Sequence, residues 1–180
     1  SYERKKRFQN YIKTLARGTR DAIMYGCLEI EGIAGAWADD SYIGYVKLYA
    51  HDANGELPED LRQKVIKNLD NYRAAGIEVE VLPIVANRIN LSLRVMINND
   101  YDTDTYDELL KDLVTGYMNQ YVVANNFYLA DIVHTIKSAY GDIVINIVIT
   151  EGEDTNIKEN ELVRPGTISV TCVKKKDWRS

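Results

Sequence analysis

The sequence predicts an α+β fold made of two small modules, each with helices packed on an antiparallel or mixed sheet, preceded by an N-terminal helix. Three observations carry that prediction. Short runs such as IGYVKLYAH, IEVEVLPIV and INLSLRVMI alternate apolar with polar residues, the period of half-buried strands. Between them apolar residues recur at helical spacing. The order is helix, strand, strand, helix, strand in the first half and strand, helix, helix, strand, strand in the second. Short helices over one face of each sheet would bury both kinds of stripe, in ferredoxin-like style.

Each element has its own justification. Phe8, Tyr11, Ile12 and Leu15 share one face of an opening helix, with Arg4, Lys5, Arg7 and Lys13 around it. That helix starts without a cap or turn signal, so the chain reads as part of something longer. In ARGTRDAI, Gly18 beside two cations raises the question of a phosphate loop. A Walker loop needs Gly-Lys-Ser/Thr after a spaced glycine, and a dinucleotide fingerprint needs three glycines; Gly18 stands alone. It reads instead as the end of one helix, with Thr19 the N-cap of the next and Asp21 in its first turn. The second helix is expected to reach Glu31, with Ile23, Cys27 and Ile30 on one side and Gly32 as terminator.

Strands follow near AGAWADD and IGYVKLYAH. Asn54-Gly55 turns the chain, Pro58 suits a helix start, and Leu61, Val65, Ile66, Leu69 and Tyr72 form a buried stripe that ends at Gly76. Ile77, Val79 and Val81 then face a core. In the second module, Thr105 and Glu108 have capping-box spacing ahead of a stripe of Leu109, Leu113, Tyr117 and Tyr121. The next helix carries Leu129, Ile132, Val133, Ile136 and Tyr140. The chain finishes with a strand near DIVINIVI, a polar excursion EGEDTNIKENEL, a turn at Pro165-Gly166 and the strand TISVTCV. The domain reading is therefore an N-terminal helical arm at 1–18, a first α+β module at 19–86, and a second at 87–180 with a basic C-terminal tail.

Composition narrows the function classes. With 180 residues and 46% hydrophobic content the chain can bury a core. No apolar run approaches the roughly 20 residues that span a bilayer, and no signal-peptide core follows the N-terminal charges. Residues 1 to 20 hold seven Lys/Arg against Glu3, so within an overall charge of −5 the rest of the chain is strongly acidic. An acidic body argues against nucleic-acid binding, which needs clustered surface cations. Cys27 and Cys172 are too few and too far apart for a disulfide framework or a metal site, and read as reduced, buried thiols.

Candidate chemistry is sparse. In NNDYDTDTYDE, taking Asp100, Asp102 and Asp104 as the first ligands of a calcium loop puts Thr105 where the loop needs glycine and Lys111 where it needs a bidentate glutamate. Acids at a helix start explain the segment better. His51 and His134 are the only histidines, and no local signature joins either to a cysteine. The reading is of a protein that is not an enzyme, with no catalytic, cofactor or metal residues. Thirteen tyrosines beside two phenylalanines favour surfaces that are apolar yet hydrogen-bonding, as at protein interfaces.

Three stretches, YIKTLARGTRDAIMYGCLEIEGI, VKLYAHDANGELPEDLRQKVIKNLDNYRAAGIEVEVLPIV and NQYVVANNFYLADIVHTIKSAYGDIVINIVI, taken together resemble the central and C-terminal part of the baseplate J-like proteins. These are wedge components of contractile phage tails and phage-tail-like particles. The resemblance spans most of residues 11 to 173 and rests on order, spacing and structural residues: Gly18, Thr19, Pro58, Gly76, Pro83 and Gly141. It implies an assembly subunit in the tail baseplate, joining other wedge proteins and copies of itself, with no small-molecule substrate. Family members carry a further N-terminal region. The alternative from another class is a small-molecule sensor or enzyme on a ferredoxin-like scaffold, since fold alone decides no function. As the partner interface, the sequence offers Phe8, Tyr11, Ile12 and Leu15. Replacing Phe8 and Ile12 with Ser should weaken partner binding, read by pull-down, more than it lowers the melting temperature; equal loss of both would reject an interface role for this face.

Overall fold

In the first half of the chain everything is arranged around one strand whose alternate residues are buried. A computed structural model describes residues 20–74 and 76–179. The arm at 1–18, with Phe8, Tyr11, Ile12 and Leu15, and the Gly18-Thr19 joint lie outside the described residues. The first unit runs α1 (Arg20–Leu28), β1 (Gly35–Asp39), β2 (Tyr45–His51), α2 (Glu59–Leu69) and β3 (Glu78–Pro83). β2 is the central strand, with β1 antiparallel on one side and β3 parallel on the other. The β1–β2 connection is a hairpin, whereas a parallel neighbour needs a crossover, which α2 supplies. Val46, Leu48 and Ala50 of β2 point to one face with Ala38 and Val81, and meet Ile23 and Cys27 of α1 and Val65 and Leu69 of α2. Each large aliphatic side chain buried there contributes roughly 1.5–3 kcal/mol.

Both helices of this unit stop earlier than their glycines suggest. α1 ends at Leu28, where Ile30 N–H turns back to the Cys27 carbonyl in a tighter, three-residue step. α2 ends at Leu69 with Asp70 as its C-cap, and Gly76, at φ +83°, serves the turn into β3. A latch joins the helices. Asn68 Nδ2 donates to the Gly26 carbonyl (2.7 Å) and Tyr72 Oη to Glu29 Oε2 (2.5 Å). The Tyr72 ring lies where a Cβ on Gly26 would stand, so that glycine is a packing requirement.

The second unit, whose first strand begins at the Val85/Ala86 boundary, consists of β4 (Val85–Ile97), α3 (Thr103–Met118), α4 (Leu129–Tyr140), β5 (Val144–Glu151) and β6 (Glu161–Lys174), closed by a 3₁₀ turn at Lys175–Asp177. β4 is central, with β5 antiparallel to it. β6 lies on its other side and runs parallel to it: Arg88 bonds Pro165, Asn90 bonds Thr167 and Asn99 bonds Lys176, a constant separation of 77 that only strands running the same way maintain. The core joins Leu91, Leu93, Val95 and Ile97 to Leu110, Val114 and Met118 of α3 and Ile132 and Ile136 of α4. The fold is α+β, with ferredoxin-like layering of helices on one face of each three-stranded mixed sheet.

Three expectations change here. The cap of α3 is Asp102, which accepts from Thr105 N (2.9 Å) and Thr105 Oγ1 (2.7 Å), so the helix starts at Thr103 and not after a Thr105–Glu108 box. The buried stripe of α3 is Leu110, Val114 and Met118; Leu109 is 39% exposed, while Leu113 and Tyr117 flank the core. Adjacent leucines at 109 and 110 made both phases legible as a stripe. β6 also passes straight through Pro165-Gly166. An edge strand tolerates proline, and a Cβ on Gly166 would collide with the Asn90 side chain, so glycine lets β6 approach β4.

The polar excursion of residues 151–162 is ordered by its polar groups. Asp154 Oδ1 accepts from Leu129 N (2.7 Å), capping α4, whose own N-cap residue Tyr128 makes no side-chain cap bond. Phe127 pairs with Thr155 and is fully buried. Leu110→Ala should cost about 2–5 kcal/mol and Leu109→Ala under about 1 kcal/mol, measured by denaturant unfolding; the reverse ranking would contradict this helix phase.

Candidate interaction surface

In the first unit, backbone pairing decides which groups remain available. Glu78 N donates to the Gly44 carbonyl (3.1 Å) and Ile84 N to the Ala50 carbonyl (3.3 Å), so alternate residues of β3 bond β2 and Val79 and Val81 turn their amides to the outside. The same alternation turns Ala36 and Ala38 of β1 outward. Each outer strand has one of these carbonyls occupied by an arginine from a helix: Arg62 Nε donates to Val81 O (2.8 Å) and Arg20 Nε to Ala38 O (2.8 Å). On β6 of the second unit, Asp107 of α3 accepts from Cys172 N (2.6 Å). These side chains block strand addition by another chain.

The outer face of the first sheet is different. Both helices pack on the inner face, so the other rows of the sheet are left without a described helix over them. Trp37 stands opposite Tyr49, their rings 5.9 Å apart, and Tyr49 stands opposite Leu82 on β3. One row along, Lys47 lies between Asp39 and Glu80. Tyr45 stacks on Tyr42 at 4.7 Å, and Lys47 Nζ sits 5.1 Å from the Tyr42 ring. The Arg20 guanidinium that caps β1 also lies 5.8 Å over Trp37, so one side chain closes the edge and borders the face. At the hairpin tip Ile43 is fully exposed and Tyr42 is 43% exposed. Gly44, at φ +76°, makes the turn that projects them. Asp39, held below the ordinary carboxylate range chiefly by Ser41, fixes the start of that tip.

The second sheet's outer face is polar by contrast. Asn90, Ser92 and Arg94 of β4 lie beside Thr167, Ser169 and Thr171 of β6, and Trp178 packs under the Arg94 guanidinium at 4.2 Å. Arg94 Nη1 also donates to the Arg179 carbonyl (2.6 Å), strapping the C-terminal segment to the sheet. The tyrosines divide in the same way. Tyr101, Tyr106, Tyr117, Tyr121 and Tyr140 pack edge-on against one another at the rim of the second core, whereas Tyr42, Tyr45 and Tyr49 occupy the first unit's outer face. Tyrosine count alone could not make that distinction.

The residues with chemical potential are placed as follows. Cys27 and Cys172 are free and buried. Burial pushes the Cys27 thiol up to about 12, and burial with the Asp107 carboxylate does the same for Cys172. No histidine or cation acts in the opposite sense on either. His51 is buried at the end of β2 with Nδ1 2.7 Å from the Asp52 carbonyl, and its ring fills the space that a Cβ on Gly35 would need. His134 is exposed on α4, 3.4 Å from Ser138 Oγ. Of the loop acids, Asp102 is committed to its cap, and among the described residues no group of three or more His, Cys, Asp or Glu side chains could hold a metal ion. Also among those residues, no helix is long and apolar enough to cross a membrane. Arg164, a buried cation that sequence reasoning missed, donates from Nη1 to the Tyr121 and Val163 carbonyls (3.0 and 2.8 Å). Nothing local in the sequence marks it.

No family model and no curated protein matches the chain. The buried thiols carry a test of this geometry. Both should resist a disulfide reagent at pH 8, where a group with a pKa near 12 is almost wholly protonated, and both should react at the rate of free cysteine once the protein is unfolded. Fast labelling of the native protein would contradict it.

Proposed function

We propose that this chain is a structural subunit of a contractile-tail baseplate wedge, joining other wedge proteins and copies of itself around the tail tube of a phage or phage-tail-like particle. The observation that carries the reading is the outer face of the first sheet. Trp37, Tyr45 and Tyr49 form an aromatic surface, and Ile43 projects fully exposed beside it. Aromatic anchors around an exposed apolar tip suit a protein interface, where such residues supply most of the binding energy. The ordered resemblance of residues 11 to 173 to baseplate J-like proteins supplies the particular assembly. The charged row of Asp39, Lys47 and Glu80 would orient a neighbour more than strengthen its hold. No residue is assigned a catalytic role.

Co-expression with the neighbouring wedge proteins tests this. The wild-type chain should co-purify with them, and Ile43→Asp and Trp37→Ser should each weaken that association about tenfold or more while leaving the melting temperature of the chain nearly unchanged for Ile43→Asp. Recovery of the chain alone, or variants that associate as tightly as wild type, would reject the assembly role. A metabolite that raises the unfolding temperature in a thermal-shift screen would instead favour the sensor reading.

A further inference from the structure

Four strands form the edges of the two sheets: β1, β3, β5 and β6. Three of them have an outward backbone group bonded by a charged side chain, from Arg20, Arg62 and Asp107. The fourth is β5, and among the described residues no side chain bonds its outward backbone. Its sequence, VINIVITE, has no charge before Glu151 and no proline, and it exposes Ile145 (38%) and Val148 (40%). An apolar, uncapped edge is a template for pairing with another chain.

The register identifies the groups on offer. Asn98 N donates to the Ile143 carbonyl, which fixes the alternation along β4: Asn98, Met96 and Arg94 turn their amides towards β5. Met96 and Arg94 face Asn146 and Val148, so those two residues are consumed inside the sheet. Ile147 and Ile149 therefore present their N–H and C=O groups outward. Register shifts lie between Ser92 and Leu93 and between Met96 and Ile97. They leave Asn146 to Ile149 as the regular stretch, which limits any added strand to this window.

We propose that this edge pairs with the same edge of a second copy of the chain, antiparallel about a two-fold axis at Val148. Ile147 and Ile149 of each copy then exchange four backbone hydrogen bonds with Ile149 and Ile147 of the other, and the two sheets join into one of six strands. Val148 meets Val148 of the second copy as a non-hydrogen-bonded pair, the arrangement in which opposed side chains come closest. The occupant follows from charge. An uncharged strand offers a charged peptide no complement, but it can face itself without like-charge repulsion, and antiparallel pairing sends the two Glu151 carboxylates to opposite ends. The resulting contact is isologous and closes on itself, so it yields a dimer and not a filament. This inference stands on the second unit alone and holds whether or not the tail reading does.

Analytical ultracentrifugation of the full chain over a wide concentration range is the test. The wild-type chain should sediment as a monomer–dimer equilibrium. Val148→Lys, which opposes two ammonium groups at the axis, should raise the dimer dissociation constant about tenfold or more with the far-ultraviolet spectrum and melting temperature kept. Val148→Cys should give a disulfide-linked dimer under mild oxidation, since the facing Cβ atoms come within reach of a bridge. A wild-type chain monomeric throughout, a Val148→Lys dimer as tight as wild type, or a Val148→Cys chain that does not cross-link would each overturn the proposal.

Discussion

A three-stranded sheet has one interior strand and two edges, and that ratio governs how this chain is built. β2 and β4 are satisfied on both sides by neighbouring strands, but every other strand leaves half its amides without a sheet partner. Burying an unpaired amide is costly, and leaving a row of them open invites foreign pairing. The chain answers with side chains from its helices. Arg20 and Arg62 reach from α1 and α2 to carbonyls on opposite edges of one sheet, and Asp107 reaches from α3 to an N–H of the other. A guanidinium donates to a carbonyl and a carboxylate accepts from an amide, so each charge matches the backbone group that it meets.

The same helices fix which sheet face is left open. Because α1 and α2 both lie on the inner face of the first sheet, its buried row is small and aliphatic: Ala38, Val46, Leu48, Ala50 and Val81. The opposite row can then hold large rings, and Trp37, Tyr45 and Tyr49 stand where a sheet facing only water would carry small polar residues. The second unit makes the other choice. Its outer face is Asn, Ser, Thr and Arg, and its tyrosines line the rim of its own core. One unit thus presents aromatic surface, and the other spends its aromatics on internal packing.

Much of this was legible in the sequence because it depends on periods of two and 3.6. The alternation in YVKLYAH and INLSLRVMI located β2 and β4, and the element order of both halves followed. What was misread has local causes. Leu109 and Leu110 are adjacent, so spacing could not choose between two helix faces. Asp102 and Thr105 are both good caps, and the folded backbone brings the Asp102 carboxylate to the Thr105 amide. Pro165-Gly166 has the composition of a turn but lies inside an edge strand. The edge-capping arginines were not legible at all, since Arg20 and Arg62 act on residues 18 and 19 positions away and look like ordinary helix-surface cations. The interface suggested by sequence, Phe8 to Leu15, lies outside the described residues, and the aromatic face was hidden inside a strand pattern that signalled only burial.

The account rests on the outer face of the first sheet being the surface against which a neighbouring subunit packs. Hydrogen exchange of the chain, alone and with its wedge neighbours bound, reports on this directly. The account predicts slowed exchange concentrated in residues 40–44, at the hairpin tip between β1 and β2, where a covering partner would exclude water from amides that are otherwise exposed. Unchanged exchange there, with protection gathered around the buried His51 or the acidic loop at Asp100 to Asp104, would contradict it.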